Sequence, residues 1–452
     1  MSSGCFGRVL QSLVDTFRDG GLRGWIAVLC LFTTKMALAV LVKGLGMMLP
    51  SLQEQFVTST WLIGWMVAFV SAGISFSGVL ATPLKERFGA RTVLTVSGLV
   101  AGISMITASF LPSLYIITFI LTLLTGPAIG ISFVITKHLI GGCFSKSITT
   151  AYGVADLGNS SVFVAVVPLI QLFLEVYGLR GTMLLLGGLL LHLAVCGALM
   201  KPPAAGRSQD GYEAAVTDEE QETGEDKVAP SDRCGCSCYT TIYSFTRDTF
   251  QLGLFSSLSF WLVVFLVIVW RLTNTAWLIY YVQYATVYKE FTLEDASQFI
   301  VAYGIGRTVV CIVIGPLVQT VKMFSYCIWL AGALLINAIY YALDPWLMSY
   351  WTIVVNTFML GNALGMSSIL IDVVIKEVFG KDHMGYVMGW TGFSSGAAMI
   401  LLLYFPGLIY DTIGDYTVAF SVMAGLQSMT VVDVLWLHWR QRRRPSSSGS
   451  SL

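Results

Sequence analysis

Residues 210–226, DGYEAAVTDEEQETGED, interrupt a chain that is otherwise built from apolar runs. This segment is acidic and carries almost no bulky apolar side chains. It cannot bury enough surface to offset the entropy of ordering, so it reads as a disordered linker. Working outward from it, six mostly apolar stretches lie on each side, each close to the roughly 20 residues that a membrane-spanning helix needs. On the N-terminal side they cover approximately 25–49, 61–81, 92–111, 114–136, 151–174 and 180–200. On the C-terminal side they cover approximately 254–281, 296–318, 324–343, 348–371, 384–406 and 416–438. The fold class expected is therefore an all-α membrane protein of twelve transmembrane helices, six plus six. Its divisions are a cytoplasmic N-terminal segment 1–24, a six-helix bundle 25–200, a cytoplasmic acidic linker 201–250, a second six-helix bundle 251–439 and a cytoplasmic tail 440–452.

Composition agrees with this. Of 452 residues, 56% are hydrophobic and 12% charged, and the mean hydropathy is +0.75. A soluble domain places about a quarter of its residues in charge. The 26 basic and 26 acidic residues cancel to zero. That excludes a nucleic-acid binder working through a basic face and argues against a soluble enzyme. The first apolar run is too long for a signal-peptide h-region, so no cleavable leader is expected. With both termini placed in the cytoplasm, 20 of the 26 Lys and Arg fall on that side, two outside and four within helices. Such a positive-inside bias sets the orientation, termini inside.

Two bundles of six joined by a long loop is a transporter architecture. Between the second and third apolar runs lies Glu86-Arg87-Phe88-Gly89-Ala90-Arg91. It resembles the loop signature of the major facilitator superfamily, with Glu in place of the usual Asp and Ala90 in place of a common Arg. The resemblance implies that Glu86, Arg87, Gly89 and Arg91 serve conformational gating, a Gly-made turn with ion pairs clamping neighbouring helices. The alternative is that these are simply the charges the positive-inside rule requires.

Asp19-Gly20-Gly21-Leu22-Arg23-Gly24-Trp25 resembles the DGGWGW motif that opens helix 1 in the monocarboxylate transporter family, solute carrier family 16. Residues 143–189, CFSKSITTAYGVADLGNSSVFVAVVPLIQLFLEVYGLRGTMLLLGGL, resemble that family from the loop before helix 5 through helix 6. Phe144, Lys146, Ala151, Gly153, Gly158, Pro168, Gln171, Tyr177, Gly178, Arg180 and Gly181 fall in register. Three departures mark a divergent member. Leu22-Arg23 replaces the Trp-Gly type pair, Lys146-Ser147 replaces a basic pair, and Asp156 occupies a place that is usually small and apolar.

Ionisable side chains inside membrane helices are costly, so each is a functional-site hypothesis. Lys43 lies 18 residues after Trp25, roughly 27 Å up its helix and near the outer mouth. The resemblance implies that it accepts a proton and attracts a substrate anion; the alternative is a lysine snorkelling to the interface. Arg307 lies roughly 16 Å inside its helix, near the midplane, where such carriers bind substrate. Its planar fork can hold a carboxylate bidentately. Tyr303-Gly304-Ile305-Gly306-Arg307 resembles the family's helix 8, whose Arg binds the substrate carboxylate; the alternative is an Arg locking two helices through backbone carbonyls. Where proton-coupled members carry an Asp one turn before this Arg, this chain has Tyr303. Proton coupling by the usual route is thereby put in doubt, and Arg307 is expected to stay uncompensated until an anion arrives. Asp156 is the other proton-coupling candidate beside Lys43. It either pairs with a buried base or titrates during the cycle, or else is exposed to the inner vestibule or caps a helix. Asp372 reads as half of a surface pair with Lys376, four residues on. Arg271 is either a second anion contact or the partner of an acid, and Lys35 faces lipid or a vestibule.

Arg307, Lys43, Arg271 and Tyr303 are thus the substrate-binding candidates, and extra cations without matching acids favour an anionic solute. The expected function is carriage of a monocarboxylate or related carboxylate-bearing solute across the plasma membrane by alternating access, with or without protons. A pH-independent facilitator of amino-acid-like or larger organic anions is the alternative in the same class. A transport-dead sensor or scaffold is the alternative in another. No cofactor, metal site or nucleic-acid partner is expected. Some members of the resembled family use a single-span glycoprotein chaperone, which makes one a conceivable partner here. Cys30, Cys196 and Cys311 lie in apolar runs, and Cys234, Cys236 and Cys238 form a cytosolic cluster without a nearby His.

Overall fold

The computed structural model describes residues 3–48, 52, 60–200, 250–321, 324–402, 409 and 416–443. The acidic linker, with its cysteine cluster, and the last residues of the tail lie outside the described residues. Everything regular among the described residues is helical. The helices are α1 Ser3–Met47, α2 Thr60–Phe76, α3 Gly78–Phe88, α4 Ala90–Ser109 and α5 Leu114–Cys143. They continue as α6 Ile148–Ser161, α7 Val167–Leu199, α8 Leu258–Gln283 and α9 Leu293–Thr320. The chain closes with α10 Tyr326–Leu343, α11 Tyr350–Leu402 and α12 Tyr416–Arg443. Among the described residues, 9 helices are long and apolar enough to cross a membrane, or 10 if the pair bent by 43° around Ser77 counts as one.

Local chemistry explains where the helices start, bend and stop. Thr292 caps α9 in a reciprocal box: its Oγ1 accepts from the Asp295 N–H, and the Asp295 carboxylate accepts from the Thr292 N–H. Prolines that lack a donor sit just after π-helical turns, Pro127 behind Leu121–Thr125 and Pro168 behind Val162–Val166. The apolar runs at 151–174 and 180–200 are joined without a loop. Helix continues on both sides of Gly178, which alone turns the chain at φ 65. Gly380 does the same inside α11 at φ 74, and Gly21 inside α1 at φ 54. Each lies in a region closed to most L-residues, so one glycine replaces a turn.

Packing falls into three cores. One joins α1, α5, α6 and the start of α8 to α9, α10 and α11, with members such as Ala27, Tyr152, Ile314 and Met384. These residues lie toward the end of the bundle that carries the termini, and they belong to both the N-terminal helices α1–α7 and the C-terminal helices α8–α12. At the opposite end the cores separate. One is built from α1, α2, α4, α5 and α7 around Leu41, Met105 and Leu186. The other is an aromatic core of α8–α12 around Trp277, Phe299 and Phe420. In that aromatic core Phe163 is, among the described residues, the sole buried member from the N-terminal helices. Where α6 meets α9, backbones come close because Gly153 faces Cys311 and Gly315 faces Thr150, leaving no room for a Cβ on either glycine.

Candidate functional site

The α6–α9 contact brings three charges together in the middle of the molecule. Asp156 from α6 accepts from the Lys35 ammonium of α1 at 2.6 Å and from Arg307 Nη2 of α9 at 3.1 Å. Ser368 of α11 donates to the same carboxylate at 3.2 Å, and the Cys311 thiol at 3.6 Å. All three charged residues are buried, none more than 4% exposed. Burial of charge is tolerated only where pairing and hydrogen bonds replace water. Arg307 also donates through Nη1 to the Tyr303 hydroxyl at 3.2 Å, which in turn donates to Asn274 of α8 at 3.1 Å. The guanidinium is therefore held at two nitrogens, while its buried Nε has no partner among the described residues.

This arrangement corrects several expectations. Arg307 does not wait uncompensated for an anion, because Asp156 reaches it from the other group of helices. Lys35 faces neither lipid nor vestibule; it is the second base on Asp156. Asp156 is not exposed, and of its alternatives pairing with a buried base is the one realised. Asp372 does not pair with Lys376 at the surface. It is buried and binds Lys137 of α5 at 2.7 Å, while Lys376 donates to the Phe144 carbonyl at 2.6 Å. Arg271 meets no acid among the described residues, and its Nη1 donates to the Ser395 hydroxyl at 3.0 Å. Lys43 is partly exposed, away from the cluster, with its ammonium 5.5 Å over the Phe163 ring. That ring stands edge-on to Tyr303 at 5.8 Å between centroids.

Among the described residues the loop motif makes no ion pair. Glu86 accepts from the Tyr386 hydroxyl of α11, 2.8 Å from each carboxylate oxygen, a bond that spans the two groups of helices. Gly89 makes the turn at φ 80, Arg87 lies over the Phe88 ring at 5.7 Å, and Arg91 is exposed at the start of α4. Lys85, next to Glu86, contacts His138 Nδ1 at 3.0 Å.

The two motifs that resemble one family dock on each other. The Asp19 carboxylate accepts from the backbone N–H groups of Ser145, Lys146 and Ser147, the segment that leads into α6. Trp25 meets Phe144 edge-on at 6.0 Å. Gly20 stands where a Cβ would strike that Phe144 ring. Asp19 was not among the expected site residues; its sequence signal was the coincidence of the two motifs. At the opposite end Lys289 holds Asp344 at 3.0 Å and the carbonyls of Asp344 and Leu347. Burial draws this lysine below the ordinary range, against the pull of Asp344.

An all-helical bundle with multiple apolar spans and a buried charge cluster between two groups of helices is the architecture of a multi-pass membrane protein. The model of the Major Facilitator Superfamily matches residues 25–347, and the chain belongs to that superfamily. Its relatives are transporters, not enzymes. Monocarboxylate transporter 12 of Xenopus laevis is 25% identical over 413 residues, 91% of this chain and 87% of that one. Monocarboxylate transporter 11 of Mus musculus is 32% identical over 186 residues, covering 41% of each chain. The chain thus spans under half the length of this more identical relative, and the full-length match has the low identity of a divergent one. Among solved structures, the Major Facilitator Superfamily transporter FucP, described as being in the outward conformation, matches with a TM-score of 0.66. It is 13% identical and is covered over 98% of its length, 91% of this chain, a likeness of fold.

Proposed function

We propose that this chain carries a carboxylate-bearing solute across the plasma membrane, by alternating access around the Arg307–Asp156–Lys35 cluster. The observation that carries the reading is the buried Arg307 guanidinium with its Nε edge unused. A fork fixed at two nitrogens and free at a third is prepared for a planar anion. Asp156 joins the two groups of helices at that point, so a solute carboxylate arriving on Arg307 competes with the bond that ties α6 to α9. Lys43, partly exposed at the far end of α1, attracts the anion first. Arg271 supplies a second positive contact on α8, and Tyr303 sets the guanidinium orientation.

Breaking α7 at Gly178 and α11 at Gly380, counting α2 with α3, and joining α6 to the first part of α7 through the turn Val162–Val166 divides the described helices into twelve spans, six before the linker and six after. Termini in the cytoplasm follow from the distribution of Lys and Arg. In that orientation the shared core and the Glu86–Tyr386 and Lys137–Asp372 bonds close the inner side, and the separated cores face outward. Glu86 and Gly89, with Arg87 and Arg91 beside them, belong to the inner gate.

A second reading within the same class is a facilitator indifferent to pH. It is favoured by Tyr303 standing where the resembled family has a carboxylate, and by Asp156 being already bound to two cations. The test is uptake into liposomes by Arg307→Lys and Arg307→Ala at two external pH values, with lactate, pyruvate, aromatic amino acids and creatine as solutes. Loss of a charged hydrogen bond worth about 1.5–3 kcal/mol lowers uptake roughly 10- to 100-fold. Retained uptake in Arg307→Ala overturns the site, and wild-type uptake stimulated by external acid overturns the second reading.

A further inference from the structure

We propose that the Phe163 ring is the passage residue of this carrier, a single side chain that separates Lys43 from the Arg307–Asp156 cluster and must move for a solute to go from one to the other. Four observations meet on it. The ring has Lys43 over one side at 5.5 Å and Tyr303 edge-on at 5.8 Å, so it stands between a partly exposed cation and a buried one. It is the member of the N-terminal helices that is buried in the aromatic core of the C-terminal helices, at the end where the two groups otherwise have separate cores. It projects from the π-helical turn Val162–Val166. Such a turn shifts a side chain out of the α-helical register and recurs at functional sites. Finally, α9 makes room for it only because residue 304 is glycine, where a Cβ would stand 2.9 Å from the Phe163 Cβ.

The consequence is physical. An aromatic ring gripped on one side by the Tyr303 ring and on the other by a cation holds its place by about 0.5–1.5 kcal/mol per contact. That is enough to keep water and solutes from the guanidinium most of the time, and small enough to yield when an anion takes the ammonium of Lys43 away from the ring face. Attraction of the anion and opening of the path are then one event.

The chain contains its own reporter. The Cys311 thiol lies inside the cluster, buried and donating to Asp156, whereas Cys30 is buried elsewhere, donating to the Cys196 carbonyl at 3.1 Å. Full-length protein in lipid nanodiscs is treated with N-ethylmaleimide, and the alkylation rates of Cys311 and Cys30 are read by peptide mass spectrometry. Phe163→Ala is expected to raise the Cys311 rate roughly tenfold or more while Cys30 stays as in wild type, because thiol reactivity follows access. Phe163→Trp, which keeps a plug, stays near wild type, and Phe163→Leu, the milder cavity, falls between. An unchanged Cys311 rate in Phe163→Ala and Phe163→Leu overturns the inference. So does a parallel rise at Cys30, or a rise in Phe163→Trp equal to that in Phe163→Ala. The inference rests on Lys43 and Arg307 being two stations of one path. Its readout needs no transported solute, so uptake that survives in Arg307→Ala and a flat Cys311 rate in Phe163→Ala are separate failures.

Discussion

Asp156 answers two cations from two different directions, and that single fact sets what its neighbours can do. Replacing it with Asn leaves Lys35 and Arg307 buried without a counter-charge. Removing one partner of such a network costs about 3–5 kcal/mol. Asp156→Asn should therefore lower the unfolding temperature in detergent by several degrees, and Lys35→Met added to it should recover part of the loss, since one stranded cation is then gone. A double variant no better than the single one contradicts the three-way arrangement. Lys289→Ala strands Asp344 in the same way and should destabilise by a similar amount, read in the same thermal scan. Asp156, Lys35 and Arg307 were each conspicuous in the sequence, because an ionisable residue in an apolar run stands out singly. Their pairing was not, since Asp156 and Arg307 are 151 residues apart and periodicity carries no information over such a distance. The reading of Asp372 failed for the same reason, as its i+4 neighbour was visible and Lys137 was not.

Helices were legible wherever an apolar run reached spanning length, and their boundaries were not. The sequence suggests gaps around 175–179 and 372–383, but a glycine with positive φ turns a helix without ending its hydrogen bonding for long, and apolar content does not register it. Gly380→Ala forces a residue with a Cβ to φ 74, at a cost of about 1–3 kcal/mol. Its surroundings are open, so the loss should appear as lower thermal stability with no steric distortion of the neighbours. Asp19 belongs to this scale too. Its carboxylate fastens the kinked start of α1 to the segment that leads into α6, and Asp19→Ala should cost about 0.5–1.5 kcal/mol, the net worth of a hydrogen bond. Asp19→Asn, which retains an acceptor, should cost less in the same measurement.

At the scale of the whole molecule, one shared core and two separate ones make a structure tied at the end of its termini. Among the described residues, links that cross there between the two groups of helices include Tyr386 to Glu86, Lys137 to Asp372, Lys376 to the Phe144 carbonyl and Gln319 to Thr150. A charge reversal separates a specific tie from general packing. Lys137→Asp or Asp372→Lys alone should lower uptake and thermal stability, while the two together restore most of both. Failure of the double variant to exceed either single one removes this pair from the set of ties. The long apolar runs foresaw a helical, multi-pass architecture. The division of the interior into three cores depends on which faces meet, and a one-dimensional pattern does not hold that.

The cluster at the centre has an electrical side as well. Two cations and one anion leave a single positive charge between the helices, and a membrane voltage acts on any charge displaced through it, by about 2.3 kcal/mol per elementary charge for 100 mV across the full thickness. A monoanion seated on Arg307 brings the cluster to neutrality, whereas a zwitterion leaves it charged. Voltage would then bear differently on the empty and loaded forms when the cargo is an anion and alike when it is a zwitterion. Transient currents from proteoliposomes on a capacitive electrode would tell the two kinds of cargo apart by sign and size, before any steady uptake is measured.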